Sequence, residues 1–309
     1  MYKEITAHRF SVWVNCGSDR EEIYEDVGVL MLPQSYSENG RATRLVICCH
    51  GAGGTVETDD SQTERQILVK YLLANGYAVM DVNGLPKEYA SLYGIDIRNN
   101  IGSPIAIDCY VLAYQYCVDN FNLHKEVLVH GASMGGISST NLVMSGRIPV
   151  IAQSGFCPVL DAYGQIYLHP WSNGLPRTAL GILYDLKKDD RGEYIYDEKK
   201  LVGYHPMARI EGSNGEERLE YPVPVKFWHC EDDPVVNIEG TKTFVRAINN
   251  AGCVARLRIF STGGHEPQDS GEPIDTPIGN HKISGETLKI TPAVEEAFLW
   301  LTSFDEAKP

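Results

Sequence analysis

The sequence has no stretch that approaches the roughly 18 consecutive apolar residues that a membrane-spanning helix needs. Its first ten residues also lack the apolar block of a secretory signal. As it stands, the chain is therefore expected to be cytoplasmic and to have no membrane partner. A chain from which a signal had been removed would read in the same way.

Positive charge is scarce, because 27 lysines and arginines stand against 41 aspartates and glutamates and leave a formal net charge of −14. Such an excess of negative charge disfavours nucleic acid and anionic membrane surfaces as partners. We interpret it as a charged surface that keeps the protein in solution.

Paired cysteine motifs are missing too, since none of the eight cysteines forms a Cys-x-x-Cys pair. Most of them lie inside apolar runs, which indicates packed, reduced thiols in a reducing compartment. Cys48 and His50 would share one face of a strand, but no further ligands follow at the spacing of a zinc site. We therefore expect neither a metal ion nor an organic cofactor.

Apolar runs alternate with helical patterns along the 309 residues, and 43% hydrophobic residues are enough to build a large core. This alternation predicts an α/β fold with a doubly wound, mostly parallel sheet flanked by helices, in a single domain over 1–309. We predict strands at 9–15, 27–32, 44–49, 77–82, 127–130, 149–153, 223–228 and 253–260. We predict helices at 61–76, 103–120, after the serine at 133, at 237–250 and from 291 onward.

Two segments interrupt this alternation of strand and helix patterns. Residues 156–221 are longer than one helical crossover needs, and we interpret them as an inserted cap or lid over the strand ends. Surface decoration is the alternative. His169 and Trp171 in this segment could line a pocket or only pack within the cap. Residues 266–290, around His281, form a long link that could fold over the site.

The most informative motif is Gly-Ala-Ser-Met-Gly at 131–135, between an apolar strand and a helical segment. It fits the Gly-x-Ser-x-Gly pattern, in which a serine occupies a strained turn and the glycines let strand and helix pass closely. Ser133 is thereby predicted to present its hydroxyl above the sheet. A plain tight turn is the alternative for the motif taken alone.

A serine hydroxyl becomes a nucleophile when a base takes its proton and an acidic partner orients that base. His265 follows the last strand in a glycine-rich loop and is the best candidate base, with a structural role at the strand end as its alternative. The carboxylates at 231–233 follow the preceding strand and would lie at the same edge. We expect the other histidines to be surface or satisfied core residues, namely His8, His124, His130, His205, His229 and His281.

Glycines also cluster in His-Gly-Ala-Gly-Gly at 50–54. A dinucleotide-binding Gly-x-Gly-x-x-Gly loop is excluded because Val56 occupies the third position. A phosphate-binding loop after the serine motif is excluded because Ile137, not lysine, follows Gly136.

With these motifs, the chain resembles the α/β-hydrolase superfamily, in its esterase and prolyl-oligopeptidase-like branch, from about residue 45 to 301. The order Ser133, Asp233, His265 matches the family's order of nucleophile, acid and base. The family's catalytic aspartate usually precedes a Pro-x-Val turn, which favours Asp233 over Asp232. The resemblance also implies an oxyanion hole built from the backbone N–H groups of Met134 and Ala52.

The resemblance implies a serine hydrolase that cleaves a small-molecule carboxylic ester, with a carbohydrate acetyl or feruloyl ester as a guess by analogy. An esterase is preferred to a peptidase because no propeller-sized segment precedes the hydrolase region. An acyltransferase with the same triad, a serine peptidase and a non-catalytic ligand-binding protein remain as alternatives.

Overall fold

One eight-stranded sheet forms the centre of the protein, in a computed structural model that describes residues 6–16, 21–162, 164–165, 175–201, 203–212, 217–274, 282–283, 286–287 and 289–306. The strand order is β1-β2-β4-β3-β5-β6-β7-β8. All pairings from β4 to β8 are parallel, whereas β2 is antiparallel to both of its neighbours. The strands are β1 Thr6–Cys16, β2 Glu22–Leu32, β3 Thr43–Cys49, β4 Ala78–Val82, β5 Leu123–Ala132, β6 Val150–Phe156, β7 Val225–Cys230 and β8 Ala255–Phe260.

Helices connect the parallel strands and pack on both faces of the sheet. One core cluster joins the sheet to α4, α5 and α8, and a second cluster on the other face joins it to α2 and α9. The described helices are α1 Gln62–Arg65, α2 Ile67–Ala74, α3 Lys87–Leu92, α4 Pro104–Asn120, α5 Gly135–Ser145, α6 Leu175–Leu183, α7 Glu198–Leu201, α8 Ile238–Asn250 and α9 Pro292–Ser303. None of them is both long and apolar enough to cross a membrane.

The architecture confirms the predicted α/β fold with its mostly parallel, doubly wound sheet. All seven residues of β3 are buried, as a strand covered on both faces requires. Ser103 caps α4, with Pro104 in its first turn, and Thr291 caps α9 in the same manner. All eight cysteines are free thiols, and seven of them are buried.

The helix predicted at 61–76 is wrong in one respect, because it is broken at Gln66. Ser61 and Glu64 do form the expected capping box, but Gln66 has an extended backbone that separates α1 from α2. The break lets Thr63 reach Asp81 on β4, while Leu68 packs into the core on the α2 side. Neither glycine nor proline marks this break in the sequence.

The elements that went unpredicted include three short ones outside the 156–221 insertion. Helix α3 follows Pro86 in a segment that we expected to be a loop, and it buries Tyr89. Strands β9 Lys282–Ile283 and β10 Glu286–Thr287 form a small antiparallel pair within the 266–290 link. Each of these elements has six residues or fewer, which is too short for a periodic signal.

The described part of the 156–221 insertion packs beside the helices of the sheet. The Tyr184 hydroxyl donates to the Ile101 carbonyl at 2.8 Å, and Asn141 on α5 donates to the Tyr204 carbonyl. His169 and Trp171 lie outside the described residues, as does His281 in the later link. The covering of the strand ends by a lid therefore stays a prediction.

A buried carboxylate on β2 makes stability depend on pH. Asp26 is 1% exposed and accepts a hydrogen bond from the Gly84 amide at 2.9 Å. Burial raises the pKa of Asp26 from 3.8 to about 7, although hydrogen bonds from Cys109 and from backbone amides oppose the shift. The folded protein therefore keeps a proton that the unfolded chain releases at lower pH.

Replacement of this carboxyl by an amide, Asp26→Asn, is expected to flatten the pH dependence of stability. A raised pKa contributes stability below the unfolded pKa, and this contribution is lost as pH rises toward 7. From about pH 5 to about pH 8, the variant should gain about 3 kcal/mol in unfolding free energy relative to the wild type, as measured by urea denaturation. Asp190→Asn, at an exposed position, is the control. Parallel pH profiles for wild type and Asp26→Asn would contradict the assignment.

Candidate active site

Ser133 lies on a strained turn between β5 and α5. Its φ is 53°, in the left-handed region that residues other than glycine rarely adopt. The surrounding backbone holds this conformation, because the Ser133 amide donates to the Phe156 carbonyl at 3.0 Å and the Ser133 carbonyl accepts from the Gly136 and Val159 amides. A non-glycine residue kept in this region by several hydrogen bonds indicates a functional constraint.

The flanking glycines are required by the close approach of neighbouring chain segments. A Cβ atom at Gly131 would lie 2.2 Å from the Gly135 carbonyl oxygen, and one at Gly135 would lie 2.0 Å from the Cys49 carbonyl oxygen. A Cβ at Gly136 would meet Pro158 at 2.5 Å. Strand β5, strand β3 and helix α5 therefore converge where no side chain fits.

Asp233 and His265 are brought to Ser133 by the loops that follow β7 and β8. The His265 Nε2 atom lies 3.0 Å from Ser133 Oγ, and its Nδ1 atom lies 2.9 and 3.1 Å from the two carboxylate oxygens of Asp233. Since Nδ1 faces a carboxylate, it carries the proton, and Nε2 is left to accept from the serine hydroxyl. Three residues far apart in the sequence thus form one continuous hydrogen-bond chain.

Asp233 stays ionised within this chain of hydrogen bonds. Burial pushes the pKa of its carboxyl upward, but hydrogen bonds from His229, His265 and the Val236 and Val235 amides outweigh burial and hold the pKa well below its usual range. The carboxylate is 1% exposed and so is shielded from water. It therefore offers a fixed negative charge to a protonated His265.

A cavity of about 370 Å³ opens beside Ser133 and His265. Its described lining is mixed in character, with polar groups from α1 and from the start of the 266–290 link. Further lining residues are Gly51, Ala52, Gln62, Arg65, Gln66, Ile67, Leu68, Ala132, Phe156, Cys157, Glu266, Gln268 and Asp269. The only described residues of the 156–221 insertion in this lining are the first two, Phe156 and Cys157.

Solved structures with a similar fold include the acylaminoacyl peptidase of Pyrococcus horikoshii, at 13% identity and a TM-score of 0.62 over 99% of this chain and 43% of that chain. A prolyl endopeptidase matches at 16% identity and a TM-score of 0.61, over 96% and 38% of the two chains. Dienelactone hydrolase from Anabaena variabilis matches at 17% identity and a TM-score of 0.51, over 96% and 98%. The chain has the α/β-hydrolase fold.

This fold likeness is visible in structure and not in sequence comparison. No protein-family model matches the chain, and no curated protein matches it significantly. The chain spans about two-fifths of the length of the two peptidases. At these identities the comparison establishes the fold alone, so the activity has to be argued from the site.

In this α/β-hydrolase fold, Asp232 makes different hydrogen bonds from Asp233. Its carboxylate oxygens accept hydrogen bonds from the Gly263 and Gly264 amides, at 3.3 and 2.8 Å. These glycines have φ values of 138° and 61° and directly precede His265. Asp232 thus anchors the loop that carries the histidine, while Asp233 contacts the histidine ring.

His229 is a contact of Asp233 that the sequence analysis missed. It is fully buried on β7, and its Nε2 atom lies 3.1 Å from Asp233 Oδ2, while its Nδ1 atom lies 3.1 Å from Thr241 Oγ1. Nε2 faces acceptors and so carries the proton, and Nδ1 accepts from the Thr241 hydroxyl. The four-residue spacing from Asp233 was the available signal, since a strand end and a tight turn bring such a pair together.

Ala52 and Met134, whose backbone amides are predicted to form the oxyanion hole, both lie near Ser133. Ala52 lines the cavity together with Ser133, and Met134 follows the serine at the start of α5. Within the described residues, neither amide donates to a protein acceptor. Both amides can therefore bond to a ligand, and their role as an oxyanion hole stays a prediction.

Cys157 places a thiol in the cavity lining, next to His265. Its Sγ atom lies 4.0 Å from His265 Nε2 and donates to the His265 carbonyl oxygen at 3.1 Å. Burial, together with the charge of Asp233, raises the pKa of this thiol well above its ordinary value.

Cys48 and His50, which share a strand face in the sequence pattern, belong to no cluster of three metal-binding side chains among the described residues.

Substitution of the glycine at the start of α5, Gly135→Ala, is expected to lower the free energy of unfolding by at least about 2 kcal/mol, because the new methyl group would overlap the Cys49 carbonyl. Urea denaturation measures the loss. Gly203→Ala is the matched control, since a Cβ at Gly203 meets nothing within 4 Å. Equal stability of the two variants would show that the strand and helix do not pass as closely as described.

Proposed function

We propose that the protein is a serine hydrolase that cleaves carboxylic esters through an acyl-enzyme. The observation that carries the proposal is the hydrogen-bond chain from Ser133 through His265 to Asp233, built on a strained turn at the edge of a cavity. A serine, a histidine and a buried carboxylate in this geometry are the components of a nucleophilic triad.

In the proposed reaction, Ser133 Oγ attacks the ester carbonyl carbon while its proton passes to His265 Nε2. Asp233 stabilises the resulting imidazolium through Nδ1–H, and the Ala52 and Met134 amides donate to the carbonyl oxygen as it becomes negative. His265 then gives the proton to the leaving alcohol. Water repeats the sequence on the acyl-enzyme, which releases the acid and restores the serine. No step requires a metal or an organic cofactor.

The cavity supports a polar ester as the substrate. Gln62, Arg65 and Gln268 offer hydrogen-bonding groups around the serine, whereas Ile67 and Phe156 provide apolar surface. Such a lining suits a hydroxyl-rich alcohol joined to a small or aromatic acyl group. We therefore propose carbohydrate esters, acetyl or feruloyl, as the substrate class.

A serine peptidase is the second candidate, because two of the similar folds are an acylaminoacyl peptidase and a prolyl endopeptidase. The two candidates differ in the leaving group, since an amine has to be protonated before it departs. Rates for an acyl p-nitrophenyl ester and for the p-nitroanilide with the same acyl group discriminate between them. An esterase cleaves the ester and leaves the anilide essentially intact.

Removal of the nucleophile, Ser133→Ala, is expected to lower kcat/KM for p-nitrophenyl acetate at least about a thousandfold, because no acyl-enzyme can form. Initial rates followed by release of p-nitrophenol measure the effect. Ser145→Ala is the control, since that hydroxyl bonds to the Leu142 carbonyl at the far end of α5. Full activity of Ser133→Ala would end the proposal.

Truncation of the second histidine, His229→Ala, is expected to lower kcat about 10- to 100-fold and to leave KM nearly unchanged, because Asp233 loses one charge-assisted hydrogen bond while the cavity lining is intact. His229→Gln, which keeps a donor, should recover part of the loss. His205→Ala is the control, since His205 is equally buried but bonds to the Ala162 amide and Tyr196. A drop in stability with unchanged kcat would assign His229 to packing alone.

A further inference from the structure

The backbone conformation of Cys157 holds its thiol next to His265, the proposed catalytic base. It follows directly after β6 with a φ of 37°, and its amide donates to the Trp228 carbonyl at 2.8 Å. This conformation places its Sγ atom 4.0 Å from His265 Nε2 and on the cavity wall. The proposed ester mechanism has no use for this thiol.

The thiol and the imidazole have the separation that a shared zinc ion needs. Zinc bonds of about 2.3 Å to sulfur and about 2.0 Å to nitrogen, at a tetrahedral angle, place the two ligand atoms about 3.5 Å apart. The observed distance of 4.0 Å between Cys157 Sγ and His265 Nε2 requires a shift of about half an ångström. Ser133 Oγ, 3.0 Å from the same nitrogen, is available as a third ligand, and the cavity can hold a water as the fourth.

Asp233 completes the surroundings that a zinc-binding histidine prefers. Its carboxylate receives the Nδ1 proton of His265, which fixes the tautomer and leaves the Nε2 lone pair for a metal. Among the described residues, Cys157, Asp233 and His265 form one cluster of potential metal-binding side chains, with their ligand atoms within 4.8 Å of one another. Both oxygens of Asp233 already bond to the ring, so the carboxylate is an outer partner of the metal and not a ligand.

We propose that Zn²⁺ binds to Cys157 Sγ, His265 Nε2 and Ser133 Oγ as a reversible inhibitor. Binding forms a sulfur–zinc bond and releases the thiol proton to solvent. The ion also occupies the lone pair with which His265 would take the serine proton. The same tautomer that prepares His265 as a base therefore prepares it as a zinc ligand. The metal site itself does not depend on the identity of the ester substrate.

Binding is tested with Co²⁺, a spectroscopic substitute for zinc, added to chelator-treated protein. We expect a thiolate-to-cobalt charge-transfer band that is present in the wild type, absent in Cys157→Ser and strongly reduced in His265→Gln. Cys253→Ser is the matched control, because Cys253 is a partly exposed thiol outside the cluster. A band that survives in Cys157→Ser, or disappears in Cys253→Ser, would overturn the site.

Inhibition is tested by titrating Zn²⁺ during p-nitrophenyl acetate hydrolysis, with each variant normalised to its own rate without metal. The half-inhibiting concentration should rise at least about tenfold in Cys157→Ser and stay unchanged in Cys253→Ser. Equal zinc sensitivity of wild type and Cys157→Ser would contradict inhibition at this site. A Cys157-dependent cobalt band in a protein without esterase activity would support the metal site while refuting the proposed function.

Discussion

The arrangement of the site depends on one backbone constraint, the left-handed conformation of Ser133 at the turn between β5 and α5. This turn reverses the chain within two residues and places the serine hydroxyl outside the sheet. It exists only because Gly131 and Gly135 let backbone segments approach to distances that exclude any side chain. The strain is held by hydrogen bonds to β6 and to the segment after it, so the core of the sheet supports Ser133 directly.

The parallel sheet accounts for the assembly of the other groups. Strands β5, β7 and β8 point the same way, so the loops that follow them meet at one edge. Two adjacent carboxylates in the loop after β7 have different contacts. Asp232 accepts a hydrogen bond from the glycine before His265, and Asp233 contacts the His265 ring. His229 and Thr241 extend the chain of hydrogen bonds into the core. They hold the Asp233 carboxylate in place through its contact with His229.

Much of this arrangement is predictable from sequence, because it depends on local signals. Buried strands, capped helices and the Gly-x-Ser-x-Gly motif all leave patterns in neighbouring residues, whereas the order Ser133, Asp233, His265 is assigned through the family resemblance. Contacts made across the fold leave none: the break at Gln66 lets Thr63 reach a different strand, and Cys157 meets His265 from 108 residues away. Short elements such as α3 also escape, since six residues cannot show a helical period. The substrate is not predictable for the same reason, because the cavity combines side chains from distant loops.

The central claim is that Ser133 is an activated nucleophile, and covalent labelling tests it most directly. The protein would be treated with a fluorophosphonate, which reacts with serine hydroxyls that a base has activated, and the adduct would be located by peptide mass spectrometry. The account predicts one adduct per chain, on Ser133, and its loss when His265 is replaced by glutamine. An absence of labelling in the folded protein, or an adduct on another residue, would contradict it.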